Sequence, residues 1–223
     1  MTEPSRSELR RIKRSVAALL LIAAVPATAW GLVLPGKRMI EPPYLKEAVE
    51  KGELPPVEER IPLKPRVIDL RSLGREPGRH GGRIRMLMGD PKDIRMVIVY
   101  GYARLVGYDD KLNLVPDILE DLEIEEGRVF TLRLRPGHRW SDGHPFTAED
   151  FRYFWEDIAN NEKLSPTGPP MEMLVDGKPP VFEVLDPLTV RYTWHAPNPA
   201  FLPALAGARP LYIYAPSHYL KQF

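Results

Sequence analysis

The sequence has no cysteine anywhere in its 223 residues. That absence excludes disulfides, a thiol nucleophile and a cysteine-based metal site. It also excludes the lipid-modified cysteine by which some exported proteins are anchored to a membrane. A chain of this length can bury a core large enough to be stable without disulfides, so the lack of cysteine does not fix the compartment.

The chain also lacks an excess of either charge. It has 31 basic and 30 acidic residues, and the formal net charge is +1. Binding to phosphates usually needs a strongly basic surface, so nucleic acid is not an expected partner. Helical zinc sites use histidines four residues apart, and no histidine here has that spacing. We therefore expect no metal and a scatter of surface histidines: His80, His138, His144, His195 and His218.

Proline is abundant, with 25 residues in the chain. The usual share is roughly 5% of a sequence, so this content predicts many extended connections and short elements in place of a helical bundle. With 43% hydrophobic residues the chain can form one or two globular domains.

The first 29 residues are typical of a targeting segment. Basic residues at positions 10–14 precede an apolar run at 16–25, and Ala27-Thr28-Ala29 supplies small residues for cleavage. We predict a signal peptide over residues 1–29, cleaved after Ala29. The alternative is an uncleaved membrane anchor, because apolar residues continue to Leu34 although Pro26 and Gly31 interrupt them.

Residues 30–80 form a proline-rich extension with one short predicted helix over 44–51, which Gly52 should end. Its composition suits a segment wrapped on a larger body or a disordered spacer, and both alternatives stay open. After Gly81-Gly82, alternating apolar residues predict a first core strand at 83–88.

Residues 127–160 organise the rest of the chain as a strand, a polar turn and a helix. Apolar residues alternate along the strand and then change to a helical period at Thr147. Thr147 is placed as the helix N-cap with Asp150 three residues on, and Phe146 and Phe151 occupy the positions of a hydrophobic staple. One apolar stripe of this helix should be buried: Phe151, Phe154, Trp155 and Ile158.

Within four residues, the turn before this helix carries the hydroxyl of Ser141, the carboxylate of Asp142 and the imidazole of His144. Neighbours in one turn point apart, so they cannot form a catalytic triad, which needs partners brought from distant positions. We expect Ser141 and Asp142 to hydrogen-bond the backbone of the turn, Gly143 to take a positive φ, and Trp140 to pack beneath the strand.

Two hairpins flank the helix in sequence. The first covers residues 122–134 and turns at Glu126-Gly127, and the second joins 181–185 to 189–194 through Asp186-Pro187. A helical turn carrying Phe201 should close at Gly207, and residues 211–214 could form a final strand.

Three motifs recur here with the order and gaps of a known protein family: Leu114-Val115-Pro116-Asp117, Trp140-Ser141-Asp142-Gly143 and Pro145-Phe146-Thr147-Ala148-Glu149-Asp150. The chain from residue 81 onwards resembles the family 5 extracytoplasmic solute-binding proteins, which serve ABC importers of dipeptides and oligopeptides. The resemblance implies an α/β, two-lobed, periplasmic-binding-protein-like fold of class II. Members of this family are usually more than twice as long, so residues 81–223 are expected to be its N-terminal part.

The same resemblance implies binding without chemistry. We expect no enzyme activity and no cofactor, a peptide or other small solute, ABC permease subunits as partners, a monomer, and a periplasmic location. Tyr100, Tyr102 and Asp90 are the candidate ligand-binding residues, although the tyrosines could be core residues and Asp90 could cap residues 93–96. Two other functions stay open, a membrane-anchored interaction module and a secreted hydrolase.

Overall fold

The structure, a computed structural model, describes residues 39–83, 85–93 and 103–223. All of them belong to one unit, Met39–Phe223. The predicted signal peptide at residues 1–29 lies outside the described residues. Within the described ranges, no helix combines the length and the apolar character needed to span a bilayer.

Short elements alternate with extended connections along the described chain, as the proline content predicts. In order they are α1 (Lys46–Glu50), α2 (Val57–Arg60), β1 (Val106–Tyr108), β2 (Leu114–Pro116), β3 (Leu119–Glu125), β4 (Val129–Leu134), α3 (Ala148–Tyr153), a π-helical segment (Phe154–Ala159), a 3₁₀ turn (Met171–Met173), β5 (Val181–Asp186), β6 (Thr189–Thr193), α4 (Phe201–Ala206) and α5 (Ser217–Leu220).

A four-stranded antiparallel sheet with the order β3-β4-β6-β5 forms the centre of the molecule. Side chains alternate across its faces, so Phe130 opposite Tyr192 and Leu132 opposite Val190 are buried on one face. On the other face Arg191 donates a hydrogen bond from Nε to Thr131 Oγ1 at 3.1 Å. The alternation that predicted β4 therefore separates an apolar face from a polar one.

Both predicted hairpins are present. Glu126 and Gly127 have φ values of 51° and 65°, and the N–H of Arg128 donates to the Glu125 carbonyl at 3.0 Å to close the first turn. In the second turn the Asp186 carboxylate accepts from the N–H of Leu188 at 2.8 Å.

Aromatic side chains fill the space between the apolar face of the sheet and the helices. Phe130 meets Trp194 and Phe201 edge to face, with ring centroids 5.6 and 5.3 Å apart. Trp155 packs edge-on against Tyr192, with centroids 6.3 Å apart. This cluster is the core on which α3 and α4 sit.

The predicted helix after Thr147 exists, but its second half is π-helical. The N–H of Asn160 donates to the carbonyl of Trp155, five residues earlier, at 3.2 Å. The wider turn brings Phe151, Trp155 and Ala159 onto the buried side, four residues apart. Ile158 and Phe154, which an α-helical period places in the stripe, are only half-buried.

Two predicted strands are wrong. Among the described residues of 83–88 none is in a strand, and Met86, Leu87 and Met88 are exposed. Residues 211–214 are extended but belong to no sheet, and they are held instead by the N–H of Leu211, which donates to the Ala204 carbonyl at 2.8 Å. An alternating pattern becomes a strand only where a neighbouring strand can pair with it, and the described residues of these two segments pair with no described strand.

The extension contains α1, and Gly52 follows it with a φ of 73°, as predicted. Residues 63–66 of the extension lie against the end of β4. The N–H of Leu63 donates to the Pro136 carbonyl at 3.0 Å, and Arg135 Nη1 donates to the Lys64 carbonyl at 3.2 Å. Arg66 Nη1 lies 3.3 Å from Asp117 Oδ1. This part of the extension is therefore attached to the body and is not a spacer.

Candidate functional site

The residues predicted to bind ligand are not brought together in the described part of the chain. Tyr100 and Tyr102 lie outside the described residues. Asp90 is exposed, and its carboxylate lies 3.3 Å from Lys92 Nζ. The N–H of Asp90 donates to the Asp93 carboxylate at 3.0 Å, so Asp93 is the side chain that caps this turn. Ligand binding by these three residues stays a prediction.

The polar turn at residues 139–145 is a closed loop of backbone hydrogen bonds. The N–H of Trp140 donates to the His144 carbonyl at 2.8 Å, and the N–H of Gly143 donates to the Trp140 carbonyl at 2.9 Å. Gly143 has a φ of 87°, which a side chain rarely allows. Asp142 Oδ1 accepts from the N–H of His144 at 2.9 Å. These hydrogen bonds stabilise the turn. Ser141 makes no side-chain hydrogen bond with a described residue.

Asp150 joins this turn to the helix and to the last described segment. Its carboxylate is 2% exposed and accepts from four donors. Oδ2 accepts from Trp140 Nε1 at 3.1 Å and from the N–H of Thr147 at 3.0 Å. Oδ1 accepts from the N–H and the hydroxyl of Ser217, both at 3.2 Å. Four hydrogen bonds satisfy the buried charge, which burial alone would make costly.

Two of the Asp150 contacts belong to the start of α3. Thr147 Oγ1 accepts from the N–H of Glu149 at 3.3 Å, and the N–H of Thr147 donates to the Asp150 carboxylate, which completes a capping box. The rings of Phe146 and Phe151 lie 5.6 Å apart across this helix start. The second hairpin also holds it, because the N–H of Ala148 donates to the Pro187 carbonyl at 2.9 Å.

His218 is not a free surface histidine. Its Nε2 lies 2.6 Å from Asp142 Oδ2, and its ring stacks on that of His144 with centroids 3.9 Å apart. The pKa of Asp142 lies below its usual range, first because the N–H of His144 donates to its carboxylate and then because His218 does. His138 is also half-buried, and burial lowers its pKa. The expected surface position is wrong for these two histidines and correct for His80, His144 and His195.

A charged group on α3 reinforces the same junction. Glu149 accepts from Arg152 Nη2 at 2.7 Å and from Lys221 Nζ at 2.8 Å. These bonds, above all the one from Arg152, lower the pKa of Glu149 to about 2. Lys221 comes from the segment after α5, so α3 and the last described residues are tied by charge as well as by Asp150.

Among the described residues of this site, no serine side chain hydrogen-bonds to a histidine. A serine nucleophile needs a histidine base within hydrogen-bond reach. The Ser217 hydroxyl donates to Asp150, whereas His218 pairs with Asp142. In the ranges that the structure describes, no cluster of three histidine or carboxylate side chains could hold a metal ion. The contacts shown by the described residues of this site join separate segments of the chain.

Comparison with known families decides what this junction belongs to. Residues 113–219, which include β3 to β6, the polar turn, α3 and Ser217, match the family model described as bacterial extracellular solute-binding proteins, family 5. Residues 113–219 are therefore a segment of a family 5 solute-binding protein. The α/β class of periplasmic-binding-protein fold predicted from the sequence is confirmed, since its structural neighbours are proteins of that kind.

Similarity to individual family 5 proteins extends over most of the chain. It is 30% identical over 202 residues to the periplasmic α-galactoside-binding protein of Rhizobium meliloti (strain 1021), covering 81% of this chain. The solved structure of an oligopeptide-binding protein, OppA, matches 83% of the chain with 33% identity and a TM-score of 0.69. The stachyose complex of MelB from Agrobacterium fabrum C58 matches 84% of it with 28% identity and a TM-score of 0.60.

The chain spans less than a third of the length of these relatives, namely 29%, 28% and 31% respectively. The relatives are solute-binding proteins, which supports a non-enzymatic role, and the first is periplasmic by name. Sequence reasoning found the motif residues but missed Ser217 and His218. No local pattern marks those two, because their partners Asp150 and Asp142 lie 67 and 76 positions away.

Proposed function

We propose that this protein is the extracytoplasmic solute-binding component of an ABC importer, in which this chain supplies part of the solute-binding body. The observation that carries the proposal is the match of residues 113–219 to the family 5 model, a stretch that contains Asp150 and all four donors to its carboxylate. The Asp150 junction and the sheet would give that body a rigid frame, because buried and fully bonded side chains resist local opening.

The mechanism we propose is hinge closure. Solute enters an open cleft between two lobes, its contacts favour the closed state, and the closed form is recognised by a membrane permease. A solute shifts this equilibrium only by its difference in affinity for the two states, so the residues that contact it must differ between open and closed forms. Tyr100, Tyr102 and Asp90 are our candidates for such contacts.

A peptide is the first solute we propose. OppA, a protein named for oligopeptide binding, matches 83% of the chain with a TM-score of 0.69. A second candidate is an oligosaccharide with α-galactosyl groups. It is favoured by the 202-residue match to a protein named for α-galactoside binding and by the match to a structure that holds stachyose.

Thermal unfolding with added solutes tests both candidates on protein expressed from the complete gene. A true solute at a hundred times its dissociation constant should add about 2.7 kcal/mol to the free energy of unfolding. The arms are a peptide library, stachyose, and lactose as a matched β-galactoside control. Stabilisation by peptides alone supports the first candidate, and stabilisation by stachyose without lactose supports the second. No shift in any arm would contradict both.

The location is proposed from the same family and from residues 1–29. Sequencing the N-terminus of the exported protein tests it. A mature chain that begins at Trp30 supports a cleaved signal peptide and free periplasmic protein, whereas an intact Met1 supports the anchored alternative.

A further inference from the structure

Residues 71–83, which we name the arginine strap, repeat an arginine every four positions. The repeat is Arg71, Arg75, Arg79 and Arg83, and glycine precedes each of the last three. The only acidic residue in the strap is Glu76, so four arginines and one glutamate leave a net charge of +3. The whole chain has a net charge of only +1. The net positive charge of the strap is therefore offset by an excess of acidic residues in the rest of the chain.

All four arginines are exposed, and none forms an ion pair with a described residue. The strap has no helix or strand. It starts in a turn in which the N–H of Arg75 donates to the Leu70 carbonyl at 2.8 Å, and Gly74, Gly81 and Gly82 have φ values of 66°, 113° and 83°. Glycines at these positions let the backbone adapt, so the guanidinium groups can spread over a partner surface.

The strap is attached to the body at its N-terminal side. Leu63 bonds to Pro136 and Arg66 pairs with Asp117, so a partner bound by the strap is held close to the sheet. Between this attachment and the strap, Val67 and Ile68 are 64% and 54% exposed. Exposed apolar side chains beside unpaired arginines are the combination that interfacial membrane binding uses.

We propose that the arginine strap binds the anionic phospholipid surface of a membrane. Guanidinium groups match phosphate oxygens in geometry and keep their charge at any physiological pH. This inference rests on the extracytoplasmic location proposed above, where nucleic acid is not a competing partner. Val67 and Ile68 favour a lipid interface over an acidic protein, because they gain by entering the headgroup layer.

The strength of binding follows from the charge. Each basic residue near an anionic surface contributes about a fivefold gain in partitioning. Removal of all four arginines should therefore lower partitioning onto anionic vesicles by more than about a hundredfold. Added salt should weaken binding of the native chain, since the interaction is between exposed charges.

The experiment measures binding of the full chain to phosphatidylcholine vesicles with and without phosphatidylglycerol. The test variant is R71Q/R75Q/R79Q/R83Q. The matched control, K111Q/K163Q/K178Q/R209Q, removes the same charge at exposed positions outside the strap. Both carry residues 1–34 unchanged, so any binding through that apolar stretch is common to them. Hydrogen exchange of residues 71–83 with and without vesicles gives a local measurement that does not depend on total binding.

The proposal expects the control to bind anionic vesicles as the native chain does and the test variant to lose more than about a hundredfold. It also expects slower exchange in the strap on anionic vesicles, and a loss of about fivefold in each single variant, R75Q and R79Q. Equal binding of the test and control variants would overturn it. Slower exchange with an acidic polypeptide but not with vesicles would also overturn it, in favour of an acidic protein partner.

Discussion

Residues 105–223 and residues 39–93 differ in what holds them in place. Among the described residues, all the buried side chains lie in the first region, and they include Phe151, Tyr192 and Trp194. In the described ranges 39–83 and 85–93 no residue is buried. That second region is attached through backbone bonds and ion pairs of residues 63–66. Apolar burial sets the structure of the body, whereas a few polar contacts decide where the extension lies.

The strongest test of this comparison removes one large side chain from each region. Phe151→Ala should lower the free energy of unfolding by about 3–5 kcal/mol, because it leaves a cavity in the aromatic core. Leu63→Ala should cost less than about 1 kcal/mol, since Leu63 is 74% exposed. Urea unfolding measures both. A cost for Leu63→Ala as large as that for Phe151→Ala would show that the extension is part of the core.

The next effect concerns the buried carboxylate. Asp150→Ala leaves the Trp140 indole, the Thr147 N–H and the Ser217 donors without their acceptor. We expect a loss of about 3 kcal/mol, since each unsatisfied buried donor costs about 1–3 kcal/mol and neighbours relax in part. The control is Asp157→Ala on the same helical stretch, where the side chain is 50% exposed. Equal losses in urea unfolding would mean that Asp150 is not the junction.

A third test measures the attachment of the extension. Gly137 has a φ of 89°, and a Cβ there would lie 3.1 Å from Leu63 N and 3.3 Å from Leu63 Cγ. Gly143 has nearly the same φ, 87°, with nothing within 4 Å. Both alanine variants carry the backbone cost of about 1–2 kcal/mol.

The difference between the two variants reports contact with Pro62 and Leu63 of the extension. We expect Gly137→Ala to cost about 1 kcal/mol more than Gly143→Ala, because a Cβ at position 137 must displace the extension. Thermal or urea unfolding of the two variants side by side gives the value. Identical costs would mean that residues 63–66 move away freely, and the extension would then be a loosely held segment.

The smallest effect is a pH dependence. The pKa of Glu149 is lowered to about 2, mainly by Arg152. A lowered folded-state pKa gives stability that is fully present above the unfolded value near 4.5 and is lost as pH falls towards 2. Because this side chain is 44% exposed, solvent screening should keep the contribution below about 1 kcal/mol.

Glu149→Gln, measured by urea unfolding at neutral pH and near the folded pKa, isolates this contribution. The native chain should exceed the variant in stability at neutral pH, and the gap should close in acid. A gap that persists in acid would mean that Glu149 acts through packing and not through its charge.

Local patterns predicted the elements of the body well. Glu126-Gly127 and Asp186-Pro187 each specify a turn through residues next to one another, and Thr147 with Asp150 specifies a helix start within four positions. The strand at 83–88 was predicted by the same kind of pattern and was wrong, because alternation shows which face is apolar but supplies no partner strand. The π-helical register after Tyr153 also lay beyond a pattern that assumes an α-helical period.

Contacts between distant segments explain what sequence reasoning missed in the candidate site. Asp142 and Asp150 were recognised within their own turn and helix start, but their partners His218 and Ser217 stand far along the chain. In each carboxylate one oxygen accepts hydrogen bonds from residues nearby in sequence. The other oxygen bonds to the distant residue, and only the folded chain shows which residue that is. For residues 63–66 of the extension, the contacts of Leu63 and Arg66 with Pro136 and Asp117 likewise join segments that are distant in sequence.

The sequence by itself determined the hairpins, the capped helix and the motifs of the family that residues 113–219 match, because each depends on side chains a few positions apart. Tertiary structure alone decided that Asp150 joins three segments, that His218 is paired and that the extension is attached at the end of β4. The physical reason is the range of the interactions: propensity, capping and turn geometry act between neighbours along the chain, whereas burial and charge pairing act between whichever groups the fold brings together.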